Sequence, residues 1–378
     1  MPAISYLTTI QLDFGALDGL RDALERQGVR RPLIVTDQGV VGAGLLRKVT
    51  DRLGNVVPAE IFDETPPNPT ERAVHACAER FTISVADGII ALGGGSAMDL
   101  AKTAGLIARQ SGRVADYVAI EGGMARITAD LPPLIAIPTT AGTGSEVGRG
   151  AVIVLDDGRK LALLSPHLIP KLAIVDPDLT LDMPPLLTAG TGMDAVSHCI
   201  ETFTAPAFNP PAEAIAMDGL YRAVRALPRA VRDGHDRDAR MAMAIAAMEG
   251  AMAFQKGLGA VHALSHPLGA LPGVSLHHGT LNAVLLPAVL RFNEPTIGHR
   301  LRRLRQVIGL DETGDVADWA ASFSAGLGLP STLAAMGVAE AVLDDVAAAA
   351  PLDHTHPTNA RPATVADYRS MLRASFGG

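Results

Sequence analysis

The chain has 378 residues, of which 48% are hydrophobic and 19% charged, a globular composition long enough for two domains with their own cores. A net charge of −8 speaks against a nucleic-acid surface or an anionic membrane as partner. The two cysteines, Cys77 and Cys199, exclude a disulfide framework and a thiolate zinc motif.

No apolar run approaches the roughly 18 residues that cross a bilayer. The start, Met1 to Leu7, also lacks the basic-then-apolar pattern of a secretion signal, so a soluble cytoplasmic protein is expected. Helical spacing over Leu17 to Arg26 leads into a buried strand over Arg31 to Asp37. A second strand, Asp87 to Leu92, runs into Gly93-Gly94-Gly95-Ser96 and a helix over Ala97 to Ala108. A third, Leu134 to Pro138, runs into Thr139-Thr140-Ala141-Gly142-Thr143-Gly144-Ser145-Glu146. Strands alternating with helices predict βαβ units and a mostly parallel sheet covered on both faces. Asp156-Asp157-Gly158-Arg159, between Ala151–Leu155 and Leu161–Leu164, predicts a hairpin, and Leu172 to Asp176 one more strand.

After Asp182-Met183-Pro184-Pro185 the β-branched runs stop, and Ala, Met, Leu and Arg dominate, as in Ala239 to Phe254. Helices are predicted there, broken at Asn209-Pro210-Pro211 and at Leu227-Pro228. The alanine run 347–350 belongs to a helix, Asp353 to Asn359 is a polar loop, and the last helix covers Val365 to Ser375. The expected division is an α/β nucleotide-binding domain over 1–184 and an all-helical domain over 185–378.

Between a strand and a helix, Gly93-Gly94-Gly95-Ser96 can let a phosphate approach the backbone and the free N–H groups of the helix start. Elsewhere the same residues would be an ordinary turn. Thr139, Thr140, Thr143 and Ser145 either add hydroxyl donors at that edge of the sheet or cap a helix. Asp37, at the end of its strand, can accept from a ribose diol and repel a 2′-phosphate, which favours NAD over NADP, or can be a plain turn residue. The Gly-x-Gly-x-x-Gly and Walker patterns are both missing.

In the second half, Asp194 and His198 stand at i, i+4, as do His262 and His266, and a glycine-bearing loop adds His277-His278-Gly279. A carboxylate and several imidazoles on otherwise apolar segments suit a divalent first-row metal, because buried polar groups need partners.

These ordered motifs resemble the iron-containing (group III) alcohol dehydrogenases over nearly the whole chain: Gly93-Gly94-Gly95-Ser96-x-x-Asp99, Pro138 to Glu146, Asp194-x-x-x-His198 and His262-x-x-x-His266-Pro267-Leu268-Gly269. The resemblance implies a Rossmann-like domain, a helical metal domain of the dehydroquinate synthase-like kind, and a cofactor in the cleft between them. A homodimer is expected. Its ligand pattern falls on Asp194, His198, His262 and His278, with Fe2+ expected and Zn2+ acceptable to the same donors. His266 falls beside the nicotinamide, where it would relay a proton or support the metal. The expected cofactor residues are Asp37, Gly94, Gly95, Ser96, Asp99, Thr139, Thr140, Thr143 and Lys160. Two departures stand out: the loop Leu271 to His277 offers a second histidine, so that His277 could replace His278, and Gly148 stands where threonine is common.

Further stretches resemble the 4-hydroxybutyrate dehydrogenase branch of that family: Tyr6 to Gly15, Phe62 to Pro66, Ala205 to Pro211 and Gln255 to Gly259. That likeness implies 4-hydroxybutyrate and succinate semialdehyde as the alcohol and aldehyde, with Phe254, Lys256 and His277 lining the substrate pocket. Lys256 is the expected partner of the substrate carboxylate, although a surface lysine would look the same. The competing readings are a broad alcohol dehydrogenase, a metal-dependent lyase or synthase of the same architecture, and a metal-storing protein without catalysis.

Overall fold

The computed structural model describes residues 8–54 and 57–377, so Tyr6, Leu7 and the rest of the N-terminal start read above lie outside it. Apart from short 3-10 turns, the first half reads in order β1 (Thr9–Leu12), α1 (Leu20–Arg26), β2 (Pro32–Val35), α2 (Gln38–Gly42), α3 (Leu45–Leu53), β3 (Glu60–Phe62), α4 (Glu71–Ile83), β4 (Gly88–Gly93), α5 (Gly95–Arg109), β5 (Leu134–Pro138), β6 (Gly150–Val154), β7 (Lys160–Leu164) and β8 (Leu172–Val175). Six strands form one sheet in the order β1-β8-β5-β4-β2-β3, and every pairing in it is parallel. The inner strands are apolar at every position and buried at every position, as a parallel sheet covered on both faces demands.

β6 and β7 make the expected antiparallel hairpin, with Gly158 at φ +86° in its turn. The edge strands β1 and β3 escaped the sequence reading. They have four and three residues and are only partly buried, too short to show a period.

The order also places a site. From β2 the chain moves outward to β3, then crosses back to β4 and continues the other way through β5 to β8. The carboxyl ends of β2 and β4 therefore flank the point where the winding reverses, which is where open α/β sheets take their ligands.

The second half is helical: α6 (Pro185–Thr204), α7 (Pro210–Arg232), α8 (Arg237–Ala253), α9 (Ala260–Gly269), α10 (His278–Ile308), α11 (Val316–Gly326), α12 (Leu343–Ala349) and α13 (Val365–Phe376). Cα packing separates two units. One holds the described residues up to Thr140 with Gly144–Asp182, and the other holds Ala141–Thr143 with the residues from Met183 onward. None of the helices among the described residues is long and apolar enough to cross a membrane.

Asn209 starts α7 by accepting the Ala212 N–H at 3.2 Å, but Pro228 does not end that helix. It sits within the last turns of α7, flanked by buried Leu227 and Ala230, and the packing of that face carries the helix on to Arg232. Helix α6 is buried continuously from Thr188 to Thr204, so it is the core helix of its unit. Its neighbours approach closely because glycines face them. A Cβ at Gly192 would come within 2.2 Å of Leu227, and one at Gly279 within 2.1 Å of the Gly190 carbonyl oxygen. At that last point α6 and α10 meet backbone to backbone.

Candidate metal centre and nucleotide edge

Helix α6 presents Asp194, His198 and Glu201 at i, i+4 and i+7, one face of a helix. Helix α9 brings His262 and His266 to the same region, and the first turn of α10 brings His278. Ligand atoms of Asp194, His262 and His278 lie within 4.8 Å of one another. Asp194 Oδ1 is 3.6 Å from His198 Nε2, 3.8 Å from His262 Nε2 and 3.6 Å from His278 Nε2. These separations are too long for hydrogen bonds. They are close to the roughly 3.4 Å between two ligands that each stand about 2.1 Å from one tetrahedral ion.

The neighbouring amide supports the same fit. Asn282 Nδ2 donates to Asp194 Oδ1 at 2.8 Å and also lies 3.2 Å from both His262 Nε2 and His278 Nε2. Its two N–H groups face three acceptors, while its Oδ1 is buried with no partner among the described residues. The residues present therefore fit a divalent cation, which would take up the ring lone pairs.

Charge is concentrated in this cluster. Burial alone would push the Asp194 carboxyl up, but the histidines around it hold it well below the ordinary carboxylate range. Burial pulls the His198 imidazole down to about 4. At His262, burial is outweighed by Glu201 and Asp194, which pull the ring up to about 9.

The partners that orient these rings come from far away in sequence. Glu201 Oε2 lies 2.5 Å from His262 Nδ1, and Asp353 Oδ2 lies 2.7 Å from His266 Nδ1. Asp353 is itself held by the amide and hydroxyl of Thr355 at 2.8 and 2.6 Å. The His266 ring stacks on His278 at 5.5 Å and on His354 at 5.7 Å. Glu201, Asn282 and Asp353 were all missed in the sequence. Only Glu201 carried a local signal, its place on the Asp194–His198 face.

Three expected substrate residues sort differently. Phe254 packs edge-on against the His198 ring at 5.3 Å. His277 is not part of the cluster: it is the N-cap of α10, with Nδ1 accepting the Thr280 N–H at 3.3 Å, so His278 is the histidine delivered to Asp194. Lys256 corrects the expectation most clearly. Its buried ammonium donates to the carbonyls of Thr202 at 2.9 Å, Phe203 at 3.2 Å and Ala205 at 2.5 Å, and pairs with Glu213 at 3.2 Å. It caps the C-terminus of α6, where a cation meets the negative end of the helix, and has no donor left for a substrate carboxylate. Burial and the neighbouring Arg300 push it down to about 8.

In the α/β unit, Asp37 follows β2 and the glycine run follows β4, on either side of the winding reversal. Asp37 Oδ1 caps α2 through the Val40 N–H at 2.9 Å, while a Cβ at Gly93 would lie 3.4 Å from Asp37 Oδ2. Gly93 has φ +150° and ends β4; Gly94 is the cap of α5 and has no side chain to close its first turn, which begins at Gly95. Thr140 lies against Gly94, where a Cβ would meet its hydroxyl at 3.2 Å, and the Thr139 N–H reaches the Gly93 carbonyl at 3.1 Å. The Ser96 hydroxyl donates to the Pro67 carbonyl, and Lys160 donates to Asn68 at 2.8 Å. Thr143 groups with the helical unit.

Asp99 is a correction. Both of its oxygens are taken inside the unit, by the Ser145 hydroxyl at 2.8 Å and the Val152 N–H at 2.9 Å. Beside it, buried Lys102 donates to Ser145 O and Oγ, Gly148 O and Gly150 O at 2.7–2.9 Å, so this group braces the 144–150 loop.

Comparison with known proteins identifies the family. The sequence profile of "Iron-containing alcohol dehydrogenase" matches residues 8–177, and that of "Fe-containing alcohol dehydrogenase family, C-terminal" matches residues 188–376. The chain belongs to the iron-containing alcohol dehydrogenase family.

It is 55% identical to a 4-hydroxybutyrate dehydrogenase of Cupriavidus necator, over the full length of both chains. It is 34% identical to an NAD-dependent methanol dehydrogenase of Bacillus methanolicus, covering 95% of this chain and 96% of that one. Among solved structures, a 1,3-propanediol oxidoreductase superposes with TM-score 0.91 at 31% identity, over 99% of this chain and 100% of the other. A sulfoacetaldehyde reductase from Bifidobacterium kashiwanohense in complex with NAD+ gives 0.88 at 29% identity, over 99% and 98%. As an iron-containing alcohol dehydrogenase, the chain is an oxidoreductase of alcohols that works with NAD and a metal ion.

Proposed function

We propose that this enzyme interconverts 4-hydroxybutyrate and succinate semialdehyde. Asp194, His198, His262 and His278 hold its metal, and the edge formed by Asp37, Gly94, Gly95, Ser96, Thr139 and Thr140 holds NAD. The observation that carries the substrate is the 55% identity to a 4-hydroxybutyrate dehydrogenase with no part of either chain left over. A homodimer in the cytoplasm is the proposed setting, and the substrate is a carboxylate-bearing alcohol.

When bound, the metal supplies Lewis-acid polarisation of the substrate oxygen, and the nicotinamide supplies or accepts the hydride. The chain's own groups do the rest. Asp353 holds His266 through Nδ1, leaving Nε2 to exchange a proton with the substrate oxygen, directly or through water. Phe254, against His198, shields the metal side of the site from water. Lys256 acts at one remove, by tying the turn that carries Phe254 to the end of α6.

The test is steady-state kinetics on iron-loaded protein, following NADH. The expected result is a kcat/KM for 4-hydroxybutyrate far above that for butan-1-ol. Equal values would reduce the assignment to a general alcohol dehydrogenase.

A further inference from the structure

We infer that Glu201 is a positioning residue that sets the tautomer of His262 and thereby makes its Nε2 a metal ligand. The inference rests on the metal reading above. Glu201 is buried on the ligand-bearing face of α6, and each of its oxygens has one partner. Oε2 is 2.5 Å from His262 Nδ1, and Oε1 accepts the Val261 N–H at 2.7 Å.

A carboxylate can only accept, so the hydrogen in the Glu201–His262 contact belongs to Nδ1. Once a metal ion displaces the second ring proton, the lone pair is on Nε2, the atom that lies 3.8 Å from Asp194 Oδ1. The Glu201–Val261 bond keeps the carboxylate from rotating away, because it anchors the other oxygen to the first turn of α9. The space for this arrangement has been cleared. A Cβ at Gly259 would come 3.0 Å from Glu201 Oε1 and 2.6 Å from Asn359 Oδ1, and Asn359 Oδ1 takes the adjacent Ala260 N–H at 3.0 Å. The start of α9 is therefore held by two side chains, and one of them also orients the ring of the next residue, His262.

Glu201→Gln tests this. If its oxygen keeps the Val261 N–H, its amide presents N–H to Nδ1, which moves the ring hydrogen to Nε2 and blocks the lone pair. Titration of metal-free protein with Co2+ alone, followed by visible absorption and calorimetry, should give a dissociation constant about 10–100-fold weaker than wild type. The melting temperature of the metal-free protein should stay near that of wild type. An unchanged Co2+ affinity overturns the role of Glu201, whereas a wild-type protein that binds no Co2+ overturns the metal reading itself. If the variant is destabilised or fails to fold, 15N NMR of the histidine rings in zinc-loaded wild type decides. A ring hydrogen on His262 Nδ1 supports the inference, and a ring hydrogen on Nε2 overturns it.

Discussion

Two buried aspartates, one in each unit, stand in networks of similar size and opposite character. Around Asp99 every strong donor meets an acceptor: the carboxylate has a hydroxyl and an amide, and Lys102 has four oxygens. Around Asp194 three ring nitrogens face one carboxylate oxygen at 3.6–3.8 Å, with a single amide reaching that oxygen and two of the rings. The first network is closed and behaves as a brace. The second has the donor set that could hold a cation. What separates a site from a strut is therefore the balance of donors and lone pairs, since both aspartates are buried.

The strongest way to break this contrast is His262→Ala. Metal content and turnover should both fall to near zero, because three remaining ligands hold an ion far more weakly. His278→Ala should behave the same way, while His277→Ala keeps its metal and loses about 1 kcal/mol of stability as a lost helix cap. Metal analysis and kinetics on the three variants check this, and a fully metallated, active His262→Ala would overturn it.

Lys102→Ala should act on the other network in the opposite sense. Removing the cation leaves the buried Asp99 charge uncompensated and takes the donor away from the Ser145, Gly148 and Gly150 oxygens, at a cost of about 3–5 kcal/mol in urea unfolding. The KM for NAD should change little in protein that remains folded. A large rise in KM with unchanged stability would return Asp99 and its neighbours to the cofactor.

Glu146, buried beside Lys102, sharpens the comparison through pH. Burial pushes its carboxyl up to about 7 from 4.5. The folded state thus binds a proton that the unfolded state has released, and the associated stability is fully present below pH 4.5 and lost as pH rises to 7. The difference between wild type and Glu146→Gln should follow that window, with an amplitude on the order of 3 kcal/mol. Parallel stability–pH curves for the two proteins would refute it.

The smallest effect concerns Asp37, which, unlike Asp99, keeps one oxygen outside any hydrogen bond among the described residues. Asp37→Gly should narrow the preference for NAD over NADP by about 1–3 kcal/mol in relative kcat/KM. A wild-type preference for NADPH would remove the basis for the assignment.

How far the sequence could be read depended on the range of each interaction. The central strands were legible because each is a short apolar run that ends in a turn signal, and the pairs Asp194–His198 and His262–His266 because each stands one turn apart on a helix. Lys256 was misread for a physical reason. Its position six residues before His262 says nothing about where a four-carbon stem ends, and the α6 carbonyls that receive its ammonium lie more than 50 residues away. Asp353 and Asn359 were equally hidden. They sit in what reads as a polar loop, 87 and 99 residues from the groups that they hold. Pro228 misled in the other direction, because a local rule about helix breaking yielded to the packing of the helix around it.

The contact between Gly190 and Gly279 bears on metal choice. Asp194 lies one turn beyond the first glycine and His278 directly before the second, so the gap between these two proposed ligands is set where two main chains touch, with no side chain between them to compress or swell. The aperture is thus a nearly rigid gauge. Ions of similar radius should all be admitted at almost the same dimensions, so the one that occupies the site will be decided by supply more than by fit. A substitution as small as alanine at either glycine would widen the gauge for every ion alike.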